Sequence, residues 1–357
     1  MLFITFFLMF ILSFGLVGTV YYFGIMSAQK ANEAILAKQA SHTKPTSRLG
    51  GIACIIASLI LIFFIADKTI LFLILSALPV FIAGGLEDLG YNIKPTLRLF
   101  AAMISGAVAI YLTGVWLDNV DLTILTPILT FPPIAISFTI FSSAGVSNSI
   151  NLIDGVNGLA SGIIAIMTGA LCFMCLYFGE TQLATVCIIL LGSILGFFVW
   201  NFPNGLIFLG DAGAYTFGHI LTWISILLIS KHPEISAWAI FCIFFWPIAD
   251  TVSAIYRRQI KRISINQPDR MHFHQLVMRV LVIRSDGRIP SNLANPLATI
   301  IILPFCAVVA FLGTIFLDNN FYSILVIIFA TLIFHGSYNL IIHTARSKIF
   351  KRRIRPK

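Results

Sequence analysis

The sequence is poor in charged residues, which make up only 10% of its 357 positions. Soluble globular domains are about 25% charged. Hydrophobic residues account for 59% of the chain, and its mean hydropathy is +0.97. This composition excludes an ordinary soluble domain and predicts an integral membrane protein.

Cysteine is also scarce, and no pairing pattern is visible. The six cysteines all fall inside apolar runs, where they behave as small buried hydrophobes, so neither a disulfide framework nor a cysteine metal site is expected. The first apolar run has no basic residues before it and no small-residue cleavage site after it. We therefore expect it to remain as a mature helix.

Long apolar runs recur along the whole chain and predict an all-α, polytopic membrane protein. A helix needs about 20 residues to cross a bilayer core about 30 Å thick. Eleven spans are predicted, at approximately 3–23, 49–66, 70–86, 99–116, 131–147, 159–178, 183–200, 213–230, 235–255, 295–316 and 321–342.

The basic residues predict the orientation of the chain in the membrane. With alternate loops assigned to opposite sides, all but two of the 23 Lys and Arg residues lie on one face, the exceptions being Lys68 and Lys231. The positive-inside rule places the basic face in the cytoplasm, with the N-terminus outside and the C-terminus inside. Residues 1–357 are interpreted as one membrane domain with a cytoplasmic loop at 256–293 and a basic tail at 343–357. Contact with anionic lipids explains the net charge of +9 without a nucleic acid.

Four acidic residues lie at cytoplasmic ends of spans, among glycines and few cations: Glu87, Asp88, Asp154 and Asp211. Without basic partners nearby in sequence, these carboxylates need another counter-charge. A divalent metal ion would supply it.

Glu87 and Asp88 occur in GGLEDLGYNIKPTLR, followed by Lys94 and Arg98. Adjacent carboxylates beside basic residues are typical of a metal and phosphate site. Taken alone, however, this segment favours a charged, solvated loop over a site.

In SNSINLIDGVNGLASG, the polar residues Asn148, Asn151, Asp154 and Asn157 recur at every third position. Polar side chains at membrane depth are costly unless they line a polar cavity, so this spacing favours a site. A capped helix end is the alternative.

Asp211 begins a predicted helix in FLGDAG. An N-cap is the commonest use of Asp at such a position. A helix N-terminus also attracts phosphate, so the two roles could coexist.

The largest cytoplasmic loop contains Arg270, His272 and His274 close to Asp269. Arg and His side chains bind diphosphates through charge-assisted hydrogen bonds. A transition-metal site and an exposed basic loop remain as alternatives.

Lys44 and Arg48 lie in a turn before the second span, where they could contact a lipid phosphate or anchor the chain at the membrane surface. Asp250 lies within the ninth predicted span. An intramembrane acid is a functional candidate, although a structural hydrogen bond would also account for it.

Taken in order, these motifs resemble the polyprenyl-phosphate N-acetylhexosamine-1-phosphate transferase superfamily, which is glycosyltransferase family 4. The resemblance is closest to the branch that initiates bacterial O-antigen and other surface polysaccharides. The matching stretches are HTKPTSRLGG (42–51), GLEDL (85–89), KPTLR (94–98), NSINLIDGVNGLASG (148–162), FLGDAG (208–213) and DRMHFHQ (269–275).

Three positions depart from the family pattern. Glu87 stands where the family usually has a first Asp, Asn157 where many members have Asp, and Gln275 where many bacterial members have a further His. These differences leave the sugar that is transferred open; both UDP-N-acetylglucosamine and UDP-linked N-acetylated 6-deoxyhexoses fit.

The resemblance implies transfer of a sugar 1-phosphate from a UDP-sugar to undecaprenyl phosphate in the bacterial inner membrane, with release of UMP and with Mg²⁺ or Mn²⁺ as cofactor. Membrane lipids, and a second copy of the chain in a homodimer, are the other expected partners. The implied roles are catalysis for Glu87, Asp88, Asp154 and Asp211; metal binding for Asp154 and Asp211; nucleotide or sugar binding for Asn151, Asn157, Arg270, His272 and His274; and lipid-phosphate binding for Lys44, Arg48 and Lys94.

A polytopic transporter is the alternative from another functional class. Transporters usually bind substrate near the bilayer midplane and are built from related halves. Here the polar groups cluster at one face and no clear internal repeat is visible.

Overall fold

The computed structural model describes residues 2–26, 46–63, 68–261 and 271–354. Over these ranges the chain forms helices and no strand, which confirms the all-α prediction. The helices are α1 (Leu2–Met26), α2 (Gly50–Phe63), α3 (Lys68–Asp88), α4 (Pro95–Thr113), α5 (Thr126–Leu129), α6 (Pro132–Leu152), α7 (Leu159–Tyr177), α8 (Thr181–Asn201), α9 (Gly210–Lys231), α10 (Ala237–Ile243), α11 (Phe245–Lys261), α12 (Phe273–Arg284), α13 (Ser291–Ile315) and α14 (Asn320–Ile354).

Eight of the described helices are long and apolar enough to cross a membrane: α1, α3, α4, α7, α8, α9, α13 and α14. They coincide with eight predicted spans and confirm a multi-pass membrane protein. Helix α2 has only 14 residues, or about 21 Å at 1.5 Å per residue. Helix α6 has 21 residues but is rich in serine and asparagine. The count of eleven spans therefore stays a prediction.

The predicted span at 235–255 is not a single straight helix in the structure. Helices α10 and α11 meet there at an angle of 82°. Pro247 lies in the first turn of α11 and has no N–H with which to bond the carbonyl of Ile243, the last residue of α10. Because that hydrogen bond is missing, the chain breaks between the two helices.

Helix α9 forms the centre of the molecule. In its most apolar stretch 94% of the residues are buried, whereas in that of α14 only 17% are. Helices α2, α3, α6 and α7 all pack around it. A helix that is enclosed on every side needs no polar face, which explains why α9 has apolar and small residues all round.

Small residues bring backbones together at the N-terminal end of α9. A Cβ atom on Gly84 of α3 would lie 2.6 Å from the backbone nitrogen of Ala212. A Cβ atom on Gly51 of α2 would likewise come too close to the backbone of Gly213. These contacts bring the start of α2 and the end of α3, together with the loops beside them, to the first turn of α9.

The opposite end of the helix bundle is closed by other polar contacts. Lys231 Nζ donates to Glu180 Oε2 at 2.6 Å, and the backbone N–H of Ala237 donates to Asp121 Oδ2 at 2.8 Å. Acidic residues at this end therefore join neighbouring helices. The acidic residues predicted to be functional lie at the other end.

Candidate active site

Asp88, at the end of α3, caps the N-terminus of α9. The backbone N–H of Asp211 donates to Asp88 Oδ1 at 2.9 Å, and that of Ala212 donates to Oδ2 at 2.8 Å. The first N–H groups of a helix have no partner within the helix, so a carboxylate there satisfies them and complements the helix dipole. The interpretation of this segment as a charged, solvated loop is wrong for Asp88.

Gly210 makes this approach possible. Its φ of +73° lies in the left-handed region, and an added Cβ would lie 2.6 Å from Asp88 Oδ2. A side chain at this position would both strain the backbone and displace the capping carboxylate. The glycine before Asp211 is thus required by the contact between α3 and α9.

Asp211 lies in the first turn of α9 and is not its N-cap: Leu209 holds that position, and Asp88 supplies the capping carboxylate. The Asp211 residue is buried, with 8% of its surface exposed. Oδ1 accepts a hydrogen bond from Asn151 Nδ2 at 3.0 Å, and Oδ2 forms an ion pair with Arg98. Asp211 has no basic neighbour in sequence, but α4 supplies one in space.

Asp154 lies in the loop between α6 and α7, close to the same helix N-terminus. Burial raises the pKa of its carboxyl group to about 6, and this effect exceeds the opposing effects of the Arg48 charge and the Gly210 backbone N–H. Arg48 also lies close enough to interact with Asp88. The two carboxylates therefore share one neighbouring cation.

Backbone pairing fixes the position of Arg48. The N–H of Phe208 donates to the Ser47 carbonyl at 2.8 Å, and the N–H of Gly51 donates to the Leu209 carbonyl at 2.8 Å. The turn that contains Arg48 is thus attached to the loop that leads into α9. Arg48 itself is exposed, as a residue that meets a ligand from outside would be.

Glu87 is half-buried next to Asp88, and its Oε2 has no hydrogen-bond partner among the described residues. Lys94 is exposed and precedes the first residue of α4. Two further predicted residues, Lys44 and Arg270, lie outside the described residues.

The asparagines of the 148–157 segment have different surroundings. Asn151 contacts Asp211, and Asn148 accepts a hydrogen bond from the Tyr215 hydroxyl at 2.7 Å. Asn157 instead donates to the Pro203 carbonyl at 2.8 Å, and its backbone N–H donates to Asn295 Oδ1 at 2.7 Å. Asn157 therefore joins three segments of the protein. Asn151 instead belongs to the acidic cluster, which Asp88, Asp154 and Asp211 form at the start of α9.

His272 and His274 are buried, so the exposed-loop interpretation is wrong for both. Their rings are stacked, with centroids 5.7 Å apart. The ring of His274 contacts Gly155, the residue after Asp154, and burial lowers the pKa of His274 to about 4. The contact between His274 and Gly155 places residues 272–274 at the edge of the acidic cluster.

A divalent metal ion fits part of this cluster. The described residues contain no group of three or more His, Cys, Asp or Glu arranged to hold an ion. Mg²⁺, however, commonly binds to one or two carboxylates, with water and substrate phosphates completing its shell. Asp211 and Asp154 are hard oxygen donors of that kind, and Asp211 Oδ2 has an ionic partner but no hydrogen bond.

Sequence reasoning grouped the main acids correctly but missed how they are held. The capping contact of Asp88 and the ion pair of Arg98 join residues more than a hundred positions apart. Asn201 and Asn295 were also missed, although their side chains accept hydrogen bonds from the 157–158 backbone. A polar residue at a helix end was the only available signal for them.

Comparison with known proteins finds related sequences over the region that carries these residues. Residues 70–229 match the sequence model of glycosyl transferase family 4, a range that contains Glu87, Asp88, Asp154 and Asp211. Over 241 residues the chain is 29% identical to a Bacillus subtilis protein named "Probable undecaprenyl-phosphate N-acetylglucosaminyl 1-phosphate transferase", covering 66% of this chain and 67% of that protein.

Proteins named undecaprenyl-phosphate alpha-N-acetylglucosaminyl 1-phosphate transferase are also similar. Those of Yersinia pestis and Escherichia coli K12 are each 28% identical, and each match covers 65% of both chains. The matches thus span about two thirds of the length of these relatives. The family model, these relatives and the ordered motifs together support the polyprenyl-phosphate N-acetylhexosamine-1-phosphate transferase superfamily, to which the chain is similar.

Proposed function

We propose that this enzyme transfers a sugar 1-phosphate from a UDP-N-acetylhexosamine to undecaprenyl phosphate. An oxygen of the lipid phosphate attacks the β-phosphorus of the UDP-sugar. The bond from this phosphorus to the bridging oxygen breaks, and UMP leaves with that oxygen. The products are UMP and undecaprenyl-diphosphate sugar.

The observation that carries this proposal is the gathering of acidic and basic groups at one helix N-terminus. Asp88, Asp154 and Asp211 come from three separate segments and meet at the start of α9, with Arg48 and Arg98 beside them. Phosphoryl transfer requires positioning and charge neutralisation more than covalent chemistry by the protein. A helix N-terminus flanked by two arginines is suited to bind the phosphates.

Asp211 and Asp154 are the residues that would hold Mg²⁺, which neutralises charge on the phosphate oxygens when it is bound. The chain's own groups have separate tasks. Arg48, on an exposed turn, binds the phosphate of the lipid. Arg98, which neutralises Asp211 in the absence of ligand, is positioned to bind a phosphate oxygen of the nucleotide sugar.

Asp88 is better suited to position α9 than to remove a proton. Both of its oxygens already accept backbone hydrogen bonds. The second pKa of a phosphate monoester is about 6, so the lipid phosphate is largely a dianion at neutral pH and needs no base. The neighbouring Glu87, with one unpartnered oxygen, is the freer carboxylate of the two.

The bacterial inner membrane, with the site facing the cytoplasm, is the proposed location. The basic residues Arg48, Lys94 and Arg98 all lie at the site end of the bundle, which favours the cytoplasmic side. Initiation of a surface glycan such as O-antigen is the proposed biological role. The one-ended cluster argues against a transporter, whose binding groups would lie near the midplane.

The test is UMP release by purified protein from a panel of UDP-sugars with undecaprenyl phosphate, in Mg²⁺, in Mn²⁺ and in chelator. UDP-N-acetylglucosamine is the first donor to try because of the names of the relatives. Release that needs both lipid and metal is the expected result. No release from any donor by folded protein would overturn the proposal.

Asp211→Asn and Asp118→Asn form a matched pair of variants. Both remove one negative charge, but Asp118 is exposed between α4 and α5, away from the cluster. We expect Asp211→Asn to abolish UMP release and Asp118→Asn to retain it. Normal turnover by Asp211→Asn would remove Asp211 from the proposed metal site.

A further inference from the structure

Asp250 is a fully buried carboxylate outside the cluster around α9. It lies on α11 with 0% exposed surface. His272 Nδ1 lies 2.8 Å from its Oδ2, and the backbone N–H of Phe273 donates to its Oδ1 at 3.0 Å. An ionised carboxylate can only accept hydrogen bonds, so Nδ1 of His272 is the donor.

One carboxylate thus performs two tasks. The N–H of Phe273 is in the first turn of α12, where His272 precedes the helix but provides no side-chain cap. Asp250 supplies that cap from another helix and orients the imidazole at the same time. With Nδ1 committed to Asp250, Nε2 is the nitrogen of His272 that remains for a ligand.

His272 is connected to the acidic cluster through its neighbour. Its ring stacks on that of His274 at an interplanar angle of 17°. The ring of His274, in turn, occupies the space that a Cβ on Gly155 would need. Since Gly155 follows Asp154, this chain of contacts fixes His272 relative to one of the proposed metal ligands.

Aromatic packing fixes the segment on its other side. The ring of Phe273 lies 4.9 Å from that of Trp246 and 5.0 Å from that of Phe334, measured between centroids. The Tyr338 hydroxyl donates to the carbonyl of Met271 at 3.0 Å. The backbone around His272 is therefore held in place, and Asp250 sets the ring within it.

We propose that Asp250 is a positioning residue that holds His272 with Nδ1–H toward itself and Nε2 toward the diphosphate of the nucleotide sugar. His272 then binds a phosphate oxygen as the imidazolium, in which Nε2–H donates to the phosphate and Nδ1–H donates to Asp250, while Asp250 does not touch the substrate. The proposal rests on the proposed function, because it assigns the ligand of His272 from that reaction. Partners of this kind, one step behind a contacting histidine, commonly change activity 10- to 100-fold.

A double-mutant cycle tests whether Asp250 acts through His272. UMP release is measured for wild type, Asp250→Asn, His272→Gln and the double variant, with kcat and KM for the donor. We expect Asp250→Asn to lower kcat/KM about 10- to 100-fold and to have no further effect when His272 is already Gln. An equal loss in both backgrounds would assign Asp250 a purely structural role.

Two further variants separate positioning from packing. Asp250→Glu keeps a carboxylate and should lose less activity than Asp250→Asn; equal losses would overturn the proposal. His335→Gln replaces an exposed histidine of α14 and serves as the control, with activity expected to stay at the wild-type level. Thermal unfolding in detergent checks that each variant is folded.

A measurement that needs no turnover decides the same question. In protein labelled with ¹⁵N at histidine, the His272 signal is assigned by its loss in His272→Gln and should report a protonated Nδ1. Asp250→Asn should shift it toward the Nε2–H form, and an unchanged signal would overturn the proposal. If wild type releases no UMP from any donor, the proposed function fails, while this spectrum still tests the positioning.

Discussion

Asp211 illustrates how several segments surround one carboxylate close to a membrane. Its oxygens meet an amide from α6 and a guanidinium from α4, while its own backbone N–H is capped by Asp88. Of these groups, Arg98 is the one that occupies Oδ2, the oxygen without a hydrogen bond. If a metal ion were held by that oxygen, Arg98 would be freed to bind a phosphate, while the cap from Asp88 would stay in place.

The Asp88→Asn variant distinguishes a capping carboxylate from a base. An amide can accept with only one atom, so one of the two backbone N–H groups would lose its partner, which costs about 1–3 kcal/mol. We expect a lower unfolding temperature in detergent and a reduced kcat at every pH from 6 to 9. Asp118→Asn should change neither quantity.

A base would leave a different signature in the pH profile. The lipid phosphate loses its second proton near pH 6, so the need for a base diminishes at higher pH. A defect in Asp88→Asn that disappears toward pH 9, with unchanged thermal stability, would contradict the capping role.

Asp154 makes the stability of the metal-free protein depend on pH. Burial raises the pKa of its carboxyl group from 3.8 to about 6. A group whose pKa is higher in the folded state stabilises the protein fully below pH 4, and this contribution is lost as the pH rises through 6. In chelator, the unfolding temperature should therefore fall between pH 4.5 and 7, with a shallower fall in Asp154→Asn.

Mg²⁺ should reverse part of that loss. The ion binds the deprotonated carboxylate, so it should raise the unfolding temperature more at pH 7 than at pH 5. The difference should shrink in Asp154→Asn but persist in Asp118→Asn. An identical shift at both pH values would argue against Asp154 as a metal ligand.

The acidic residues of the site could be predicted from the sequence, but the residues that contact them could not. The carboxylates were predictable because placing an acidic residue near a membrane costs free energy, so acidic residues at the ends of spans are candidates for a functional role. Their partners were not predictable, because the pairing of Arg98 with Asp211 depends on how α4 packs beside α9. Asn157 fitted the three-residue spacing, yet its amide bonds to Pro203 and it serves as a link between segments.

At the scale of elements, apolar runs predicted helices well and their interruptions poorly. Hydropathy cannot distinguish one straight helix from two short apolar helices in sequence. The break between α10 and α11 follows from the missing N–H of Pro247, a signal that is present in the sequence but ambiguous, since Pro79 lies inside the continuous helix α3. The bend matters because α11 carries Asp250.

Close helix packing at the site end can be tested with paired glycine variants. A Cβ at Gly84 would lie 2.6 Å from the backbone nitrogen of Ala212, so Gly84→Ala must displace the first turn of α9 from Asp88. Overpacking typically costs about 1–3 kcal/mol, more than the roughly 0.5–1 kcal/mol that alanine contributes to a helix. We expect lower thermal stability and lower UMP release.

Gly169→Ala is the matched control. Gly169 also lies inside a helix, but among the described residues no heavy atom beyond its chain neighbours and its own helix backbone lies within 4 Å of the position its Cβ would take. This variant should be at least as stable as wild type and equally active. If the two variants behaved alike, helix propensity rather than contact between α3 and α9 would explain the result.

For the whole molecule, the two ends of the bundle differ in what their charged residues do. At one end Glu180 and Asp121 bind groups of neighbouring helices and leave the surface closed. At the other end acids, arginines and a helix N-terminus face one another across segments from α2, α3, α4, α6 and α9. Among the described residues, the second end therefore gathers the groups that the proposed binding of a nucleotide sugar requires.

The side of the membrane on which that end lies can be determined by labelling single cysteines. All six native cysteines are buried, so they should react little with a membrane-impermeant maleimide. Tyr91→Cys places a thiol on the exposed turn beside the site, and Asp118→Cys places one at the opposite end. Activity of each variant confirms that the fold is unchanged.

In intact spheroplasts, Asp118→Cys should be labelled and Tyr91→Cys should be labelled only after lysis. The physical reason is the retention of Lys and Arg on the cytoplasmic side, where Lys94 and Arg98 accompany Tyr91. The reverse pattern would place the site outside the cell, away from the cytoplasmic pool of nucleotide sugars. The reaction proposed for this chain could then not take place in the orientation the protein adopts.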